Sequence, residues 1–214
     1  MKYYLIKYNF IFIHQIIILV PSNKGLFMKA YYQGEIDYFC AIYAIINSVR
    51  VASRQIHMFT YQESCDFFQH LITFLYKNNK FLRVLKHGTS NDLMYELLGE
   101  TKKYVLKKYK IDLHYKKLLT FRELPDKYLW VYLKRYLQKN NTSIILRLHN
   151  ISLGDHWTVA RYQISNTIKL FDSYFYKKIC LDRTTFKPFR CDNMHHVQRS
   201  SVILIKIFPM KNRT

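Results

Sequence analysis

The chain has 214 residues, half of them hydrophobic and 17% aromatic, which excludes disorder as the main state and allows one substantial core. Its formal net charge of +20, from 34 Lys and Arg against 14 Asp and Glu, would by itself suit nucleic acid, an anionic membrane surface or an acidic partner. The basic residues are nevertheless spread along the chain, as at Lys102, Lys103, Lys107, Lys108 and Lys110, and the excess of Lys, Ile, Tyr, Phe and Asn is that of an AT-rich coding sequence. Nucleic acid is therefore not expected as the main partner.

The N-terminal stretch KYNFIFIHQIIILVP carries an apolar run from Phe10 to Val20, broken by His14 and Gln15. The run is shorter than the ~20 residues that span a bilayer, and no small-residue cleavage site follows it. Residues 1–27 thus read as an extraneous leader ahead of Met28 or as a core strand, in preference to a degenerate signal or anchor. Residues 28–214 contain nothing resembling an inter-domain linker and are expected to form a single domain. Four cysteines are too sparse for a disulfide scaffold, which fits a reducing, cytoplasmic setting. A secreted or membrane-associated placement is the alternative that the apolar run keeps open.

Helix signals dominate from there to about residue 139. Asp37 is placed to cap a helix over about Tyr38 to Ala52, with Cys40 in its first turn. Thr60 with Glu63 forms a capping box before TYQESCDFFQHLITFLYKNN, and Thr89 with Asp92 repeats the pattern before NDLMYELLGETKKYVLKKY. A fourth helix is expected from about Glu123 to Lys139, with Leu129, Leu133 and Leu137 four apart. The character then changes to short segments rich in β-branched and aromatic residues, SIILRLHNI, HWTVARYQI, TIKLFDSYF and SVILIKIF, which read as four strands. Helices first and an antiparallel sheet second is an α+β order.

Chemistry concentrates on three positions. A helix start favours the thiolate of a cysteine placed there, because unpaired N–H groups and the positive dipole end point at the sulfur, and Cys40 has that placement. His156, in LGDHWTVARYQ, follows a glycine-containing loop at the start of a strand and is the candidate base. Asp172, in KLFDSY on the partner strand, is the candidate orienter. A three-residue loop, Ile164 to Asn166 with Asn166 left-handed, would pair Gln163 with Thr167 and set Thr158 opposite Asp172. His156 and Asp172 would then be diagonal neighbours on one face, within reach of each other. A two-residue loop would put them on opposite faces. Asn166 and Asp155 are fallback orienters, although Asp155 would point away from the face that the imidazole uses.

Gln33, Cys40 opening a helix, DHWTVARY with His156 and LFDS with Asp172 together resemble the papain-like cysteine peptidase superfamily, nearest to its C39-like bacterial branch. The resemblance spans roughly Gln33 to Tyr174 and rests on the two short blocks. It implies a helical half that carries the cysteine and an antiparallel sheet half that carries His and Asp. It also implies that Gln33 donates its side-chain amide to an oxyanion hole together with the Cys40 backbone N–H. Many relatives have Gly after the cysteine where this chain has Ala41, and the Gln-to-Cys interval can be a residue shorter.

The activity so implied is that of a thiol hydrolase, a peptidase or amidase working on a peptide or protein substrate by Cys-His-Asp acyl transfer without a cofactor. Deamidation or acyl transfer on the same triad is an alternative within the fold. A catalytically silent binding module, or a basic nucleic-acid-associated protein, is the alternative outside it. The segment CLDRTTFKPFRCDNMHH gathers Cys180, Cys191, His195 and His196, but its spacing matches no common structural zinc site, so no metal is expected.

Overall fold

The run AIYAIINSV after Cys40 is apolar on every side, and a helix apolar all round belongs inside the molecule. A computed structural model describes residues 28–33, 38–118, 125–150, 154–174, 176–181, 184–186 and 195–210. In it the run forms helix α1, Cys40–Ser53, in which every residue except Val51 is buried. The expected cap, Asp37, and the N-terminal apolar run lie outside the described residues. The residue just before α1 is Phe39, whose side chain offers no capping oxygen.

Helix α2, Tyr61–Lys77, begins with the capping box: Thr60 accepts from the Glu63 N–H and Glu63 accepts from the Thr60 N–H. A short helix not expected from the sequence, α3, covers Phe81–His87 and ends at Gly88, whose φ of 71° suits a residue without Cβ. Helix α4, Asn91–Tyr109, is capped by Ser90, not Thr89 as the spacing had suggested. The Thr89 carbonyl instead accepts a hydrogen bond from the Trp157 indole at 3.0 Å. Helix α5 runs Asp126–Leu137 and buries Leu129, Trp130 and Leu133.

The sheet has eight strands among the described residues, not four: β1 Ile111–Lys117, β2 Thr142–Asn150, β3 Gly154–Ile164, β4 Thr167–Leu170, β5 Lys178–Cys180, β6 Thr184–Thr185, β7 His195–Val197 and β8 Ile203–Pro209. The main path runs β1-β8-β2-β3-β4-β5, antiparallel throughout, with β7 beside β2 and a short parallel β6–β7 pair. The fold is thus helix plus antiparallel sheet. The runs SIIL and VILIKI are nearly continuous in apolar residues because both faces of the sheet are covered. Ile145, Trp157, Val159, Ile203 and Ile205 point into a core shared with α1, α2 and α4. Ile144, Leu146, Ala160, Leu170 and Leu204 point into a second core with α5.

The β3–β4 hairpin corrects the expected turn. Ile164 pairs with Thr167, so the turn has two residues, Ser165 and Asn166, and Ser165 takes the left-handed φ of 47°. The register shifts between Ala160 and Tyr162: Tyr162 pairs with Lys169 while Ala160 pairs with Leu170, which leaves Arg161 as a bulge. Beyond the bulge the pairing is the one a three-residue loop would have produced. His156 and Asp172 are returned to one face by a different route. Among the described residues no helix is long and apolar enough to cross a membrane.

Helix and sheet are also joined by a buried polar pair: the Ser48 and Ser143 hydroxyls lie 2.6 Å apart, and Ser143 also donates to the Ser48 carbonyl at 3.0 Å. Ser143→Ala leaves the Ser48 hydroxyl without this partner and should cost about 1–3 kcal/mol in urea unfolding. The double change with Ser48→Ala should recover part of that loss, since neither hydroxyl is then left buried alone.

Candidate active site

Three separate parts of the fold supply the site. Cys40 is the first residue of α1, His156 is the third residue of β3, and Asp172 follows the end of β4, where Phe171 still donates its N–H to the Val159 carbonyl at 2.8 Å. Gly154, with φ 64°, lets the chain turn into β3 two residues before the imidazole. Cys40, His156 and Asp172 are all buried, at 6%, 7% and 5% exposure.

The imidazole joins the other two. Its Nε2 lies 2.7 Å from Asp172 Oδ1, and its ring also hydrogen-bonds the Cys40 side chain. Because Nε2 is taken by the carboxylate, Nδ1 is the nitrogen left for the thiol. Burial works against a charged imidazole, but the hydrogen bonds to Asp172 and Cys40, with their Coulombic attraction, outweigh it and raise the His156 pKa from 6.5 to about 9.

The Asp172 carboxylate is itself held in place. The second carboxylate oxygen, Oδ2, accepts from the backbone N–H groups of Tyr174 at 2.7 Å and Tyr176 at 3.1 Å. Asp172 therefore nucleates its own turn, as aspartates do when they bond backbone amides two residues on. The rings of Tyr174 and Tyr176 flank the imidazole, with centroids 6.0 and 5.9 Å from it.

Gln33 belongs to a segment outside helix and strand, residues 28–33, that meets the turn after β4. Its N–H donates to the Ser173 carbonyl at 3.0 Å, and the Ser173 hydroxyl donates to its side-chain Oε1 at 3.2 Å. In this arrangement Oε1 is the accepting end of the side-chain amide and Nε2 its donor end. The structure thus brings Gln33 next to the residue that follows Asp172.

The two fallback orienters lie elsewhere. Asp155 pairs with Arg147 and with His149 at 3.1 Å, one residue out of phase with His156. Asn166 sits in the turn at the far end of β3, where its carbonyl accepts from Leu181, some eight strand residues or roughly 26 Å along from the imidazole. In the Cys- and His-containing segment, Cys191 lies outside the described residues, and no group of three or more His, Cys, Asp or Glu side chains able to hold a metal occurs among the described ones. Cys65, a second thiol, has its pKa pushed up by partial burial and by Asp66, against a hydrogen bond from Tyr61.

Sequence reasoning did not find Ser173, the two tyrosine amides, or the Thr89 carbonyl that holds Trp157 beside His156. For Asp172 a signal existed, since Asp-Ser-Tyr after a strand reads as a turn that an aspartate can close. The Ser173–Gln33 pair is 140 residues apart and left no local trace. Comparison with protein-family models, with curated proteins and with solved structures returns no match for this chain.

The raised imidazole pKa gives a pH signature. A folded-state value above the unfolded one contributes stability that is complete below pH 6.5 and is lost as pH rises through about 9. Thermal unfolding across that window should show Tm falling for the native chain. His156→Gln should remove this component of the fall, and an unchanged pH profile would contradict the coupling of the imidazole to its two partners.

Proposed function

We propose that the chain is a papain-like thiol hydrolase that cleaves an amide or peptide bond by acyl transfer. The observation that carries this reading is the imidazole held between a buried carboxylate and a thiol at the first residue of a buried helix. A nucleophile, a base and an orienter in hydrogen-bonded series is the arrangement that nucleophilic catalysis needs.

The chemistry follows from the bonds. His156 takes the thiol proton at Nδ1, while its Nε2–H remains on Asp172 Oδ1, and the Cys40 sulfur adds to the substrate carbonyl carbon. The carbonyl oxygen becomes an oxyanion, for which the Cys40 N–H at the start of α1 and the Gln33 side-chain amide are the donors in this reading. Collapse breaks the carbon–nitrogen bond as Nδ1 gives its proton to the leaving amine, which leaves an acyl thioester on Cys40. Water then attacks the thioester with Nδ1 as base, and the thiol departs. Asp172 fixes the imidazole tautomer through its bond to Nε2. Gln33 acts only once negative charge develops on oxygen, so its effect belongs to the transition state.

The test uses p-nitrophenyl acetate, an activated ester that needs no substrate pocket, with iodoacetamide as a separate probe of the thiol. The native chain should form an acetyl adduct on Cys40, detectable by mass spectrometry, and turn the ester over. Cys40→Ala should abolish both. Asp172→Ala should greatly weaken turnover, whereas Asn166→Ala and Asp155→Ala should leave most of it. Gln33→Ala should lower kcat by ~10²–10³, the usual cost of one oxyanion donor, with Cys40 alkylation little changed. An inert Cys40, alkylated no faster than Cys65 at neutral pH, would point to a catalytically silent module instead.

A further inference from the structure

The site depends on where Gln33 is held, and among the described residues no strand lies beside the segment that carries it on the α1 side. In extended backbone the N–H and C=O of one residue share an edge, and every second residue repeats that edge. Along residues 28–33 the Lys29 carbonyl, the Tyr31 N–H and carbonyl, and the Gln33 N–H each have a partner. They fall on alternate residues, the pattern of one edge of an extended chain. Asn47 of α1 satisfies Tyr31 twice, accepting its N–H at 3.2 Å and donating to its carbonyl at 3.3 Å, as a paired strand residue would. Arg50, one turn further along α1, donates Nη1 to the Lys29 carbonyl at 2.9 Å and to Asn47 Oδ1 at 3.1 Å.

Arg50 is an unusual residue for this task. It is only 7% exposed, its Nε has no hydrogen-bond partner, and among the described residues no carboxylate pairs with it. Its guanidinium lies 3.9 Å from the centroid of the Tyr31 ring, with the Phe171 ring at 5.5 Å. Phe171 immediately precedes Asp172, so the cation bridges the segment that bears Gln33 and the strand end that bears the orienter. Burial draws its pKa below the ordinary value, with the Tyr31 ring opposing that shift, which marks the site as costly for a charge. A hydrophobic side chain would fill the space more cheaply. It would not hold two backbone segments in register.

We propose that Arg50 is a positioning residue: from the far end of α1, ten residues or roughly 15 Å from Cys40, it locks the segment 28–33 against the end of β4 and so seats Gln33 on Ser173. Its catalytic consequence rests on the hydrolase reading. Its structural consequence does not.

Hydrogen–deuterium exchange of residues 28–33 in the full chain, alongside p-nitrophenyl acetate turnover and iodoacetamide alkylation of Cys40, tests the proposal. In Arg50→Met the Tyr31 and Gln33 amides should exchange at least about tenfold faster. Turnover should fall about tenfold to a hundredfold, the scale of a small misplacement, while the alkylation rate holds. Adding Gln33→Ala to Arg50→Met should cost little beyond Gln33→Ala alone, and Arg50→Lys should recover part of the loss. Should Arg50→Met fail to fold, Tyr31→Leu removes the ring under the guanidinium from the other side and is read in the same way. Undisturbed exchange, or losses from Arg50→Met and Gln33→Ala that multiply in full, would overturn the proposal. A native chain without Cys40-dependent ester turnover would overturn the hydrolase reading alone, and the exchange comparison would still decide whether Arg50 seats Gln33.

Discussion

A single carboxylate ties the candidate site of this molecule together. Asp172 divides its two oxygens between different tasks: Oδ1 takes the imidazole of β3, and Oδ2 takes two backbone amides of the turn that follows. Burying an acid is costly unless it is paired and hydrogen-bonded, and here both conditions are met by groups that must be in native positions. The same bonds that make the burial tolerable therefore fix the ring, the turn and, through Ser173, the neighbouring segment 28–33. Removing the carboxylate would unsettle all three together.

The buried helix complements this arrangement from the other side. Small residues at Ala41 and Ala44 let α1 approach the sheet closely, and polar residues within its apolar run are each assigned to a partner. Ser48 reaches β2, while Asn47 and Arg50 reach the segment 28–33. Ala41, directly after Cys40, is fully buried, a place that a small side chain fits.

Much of this was legible in the chain. The four expected helices, the Thr60 capping box and the placement of Cys40 at a helix start all follow from local patterns that the fold respects, whereas β1 falls between α4 and α5 and breaks the expected order of helices before sheet. What was not legible has a common cause. Short strands such as Lys178–Cys180 and Thr184–Thr185 exist only because a neighbour offers a ladder, and two or three residues carry no readable period. Strand β1 was hidden because IDLHYKK follows a helix rich in lysine and blends into it. Ser90 and Thr89 are both competent caps, and the choice fell to Ser90 once the Thr89 carbonyl was engaged by Trp157. Arg50 is the only charged residue in α1, a visible anomaly, but its backbone acceptor at Lys29 lies 21 residues away and could not be guessed.

The hairpin teaches a stricter lesson. Its turn is one residue shorter than the placement of His156 and Asp172 requires, and the bulge at Arg161 supplies the missing one. Side chains on a strand alternate, so what the dyad constrains is whether turn and bulge residues together number odd or even. Such a hairpin can trade a residue between its tip and its middle, or lengthen by two, and stay competent. A lone insertion or deletion outside the bulge has no such freedom. Length variation among chains that share this pairing should therefore come in even steps, or in compensated odd ones, a form of inheritance written in parity and invisible to any comparison of residue types.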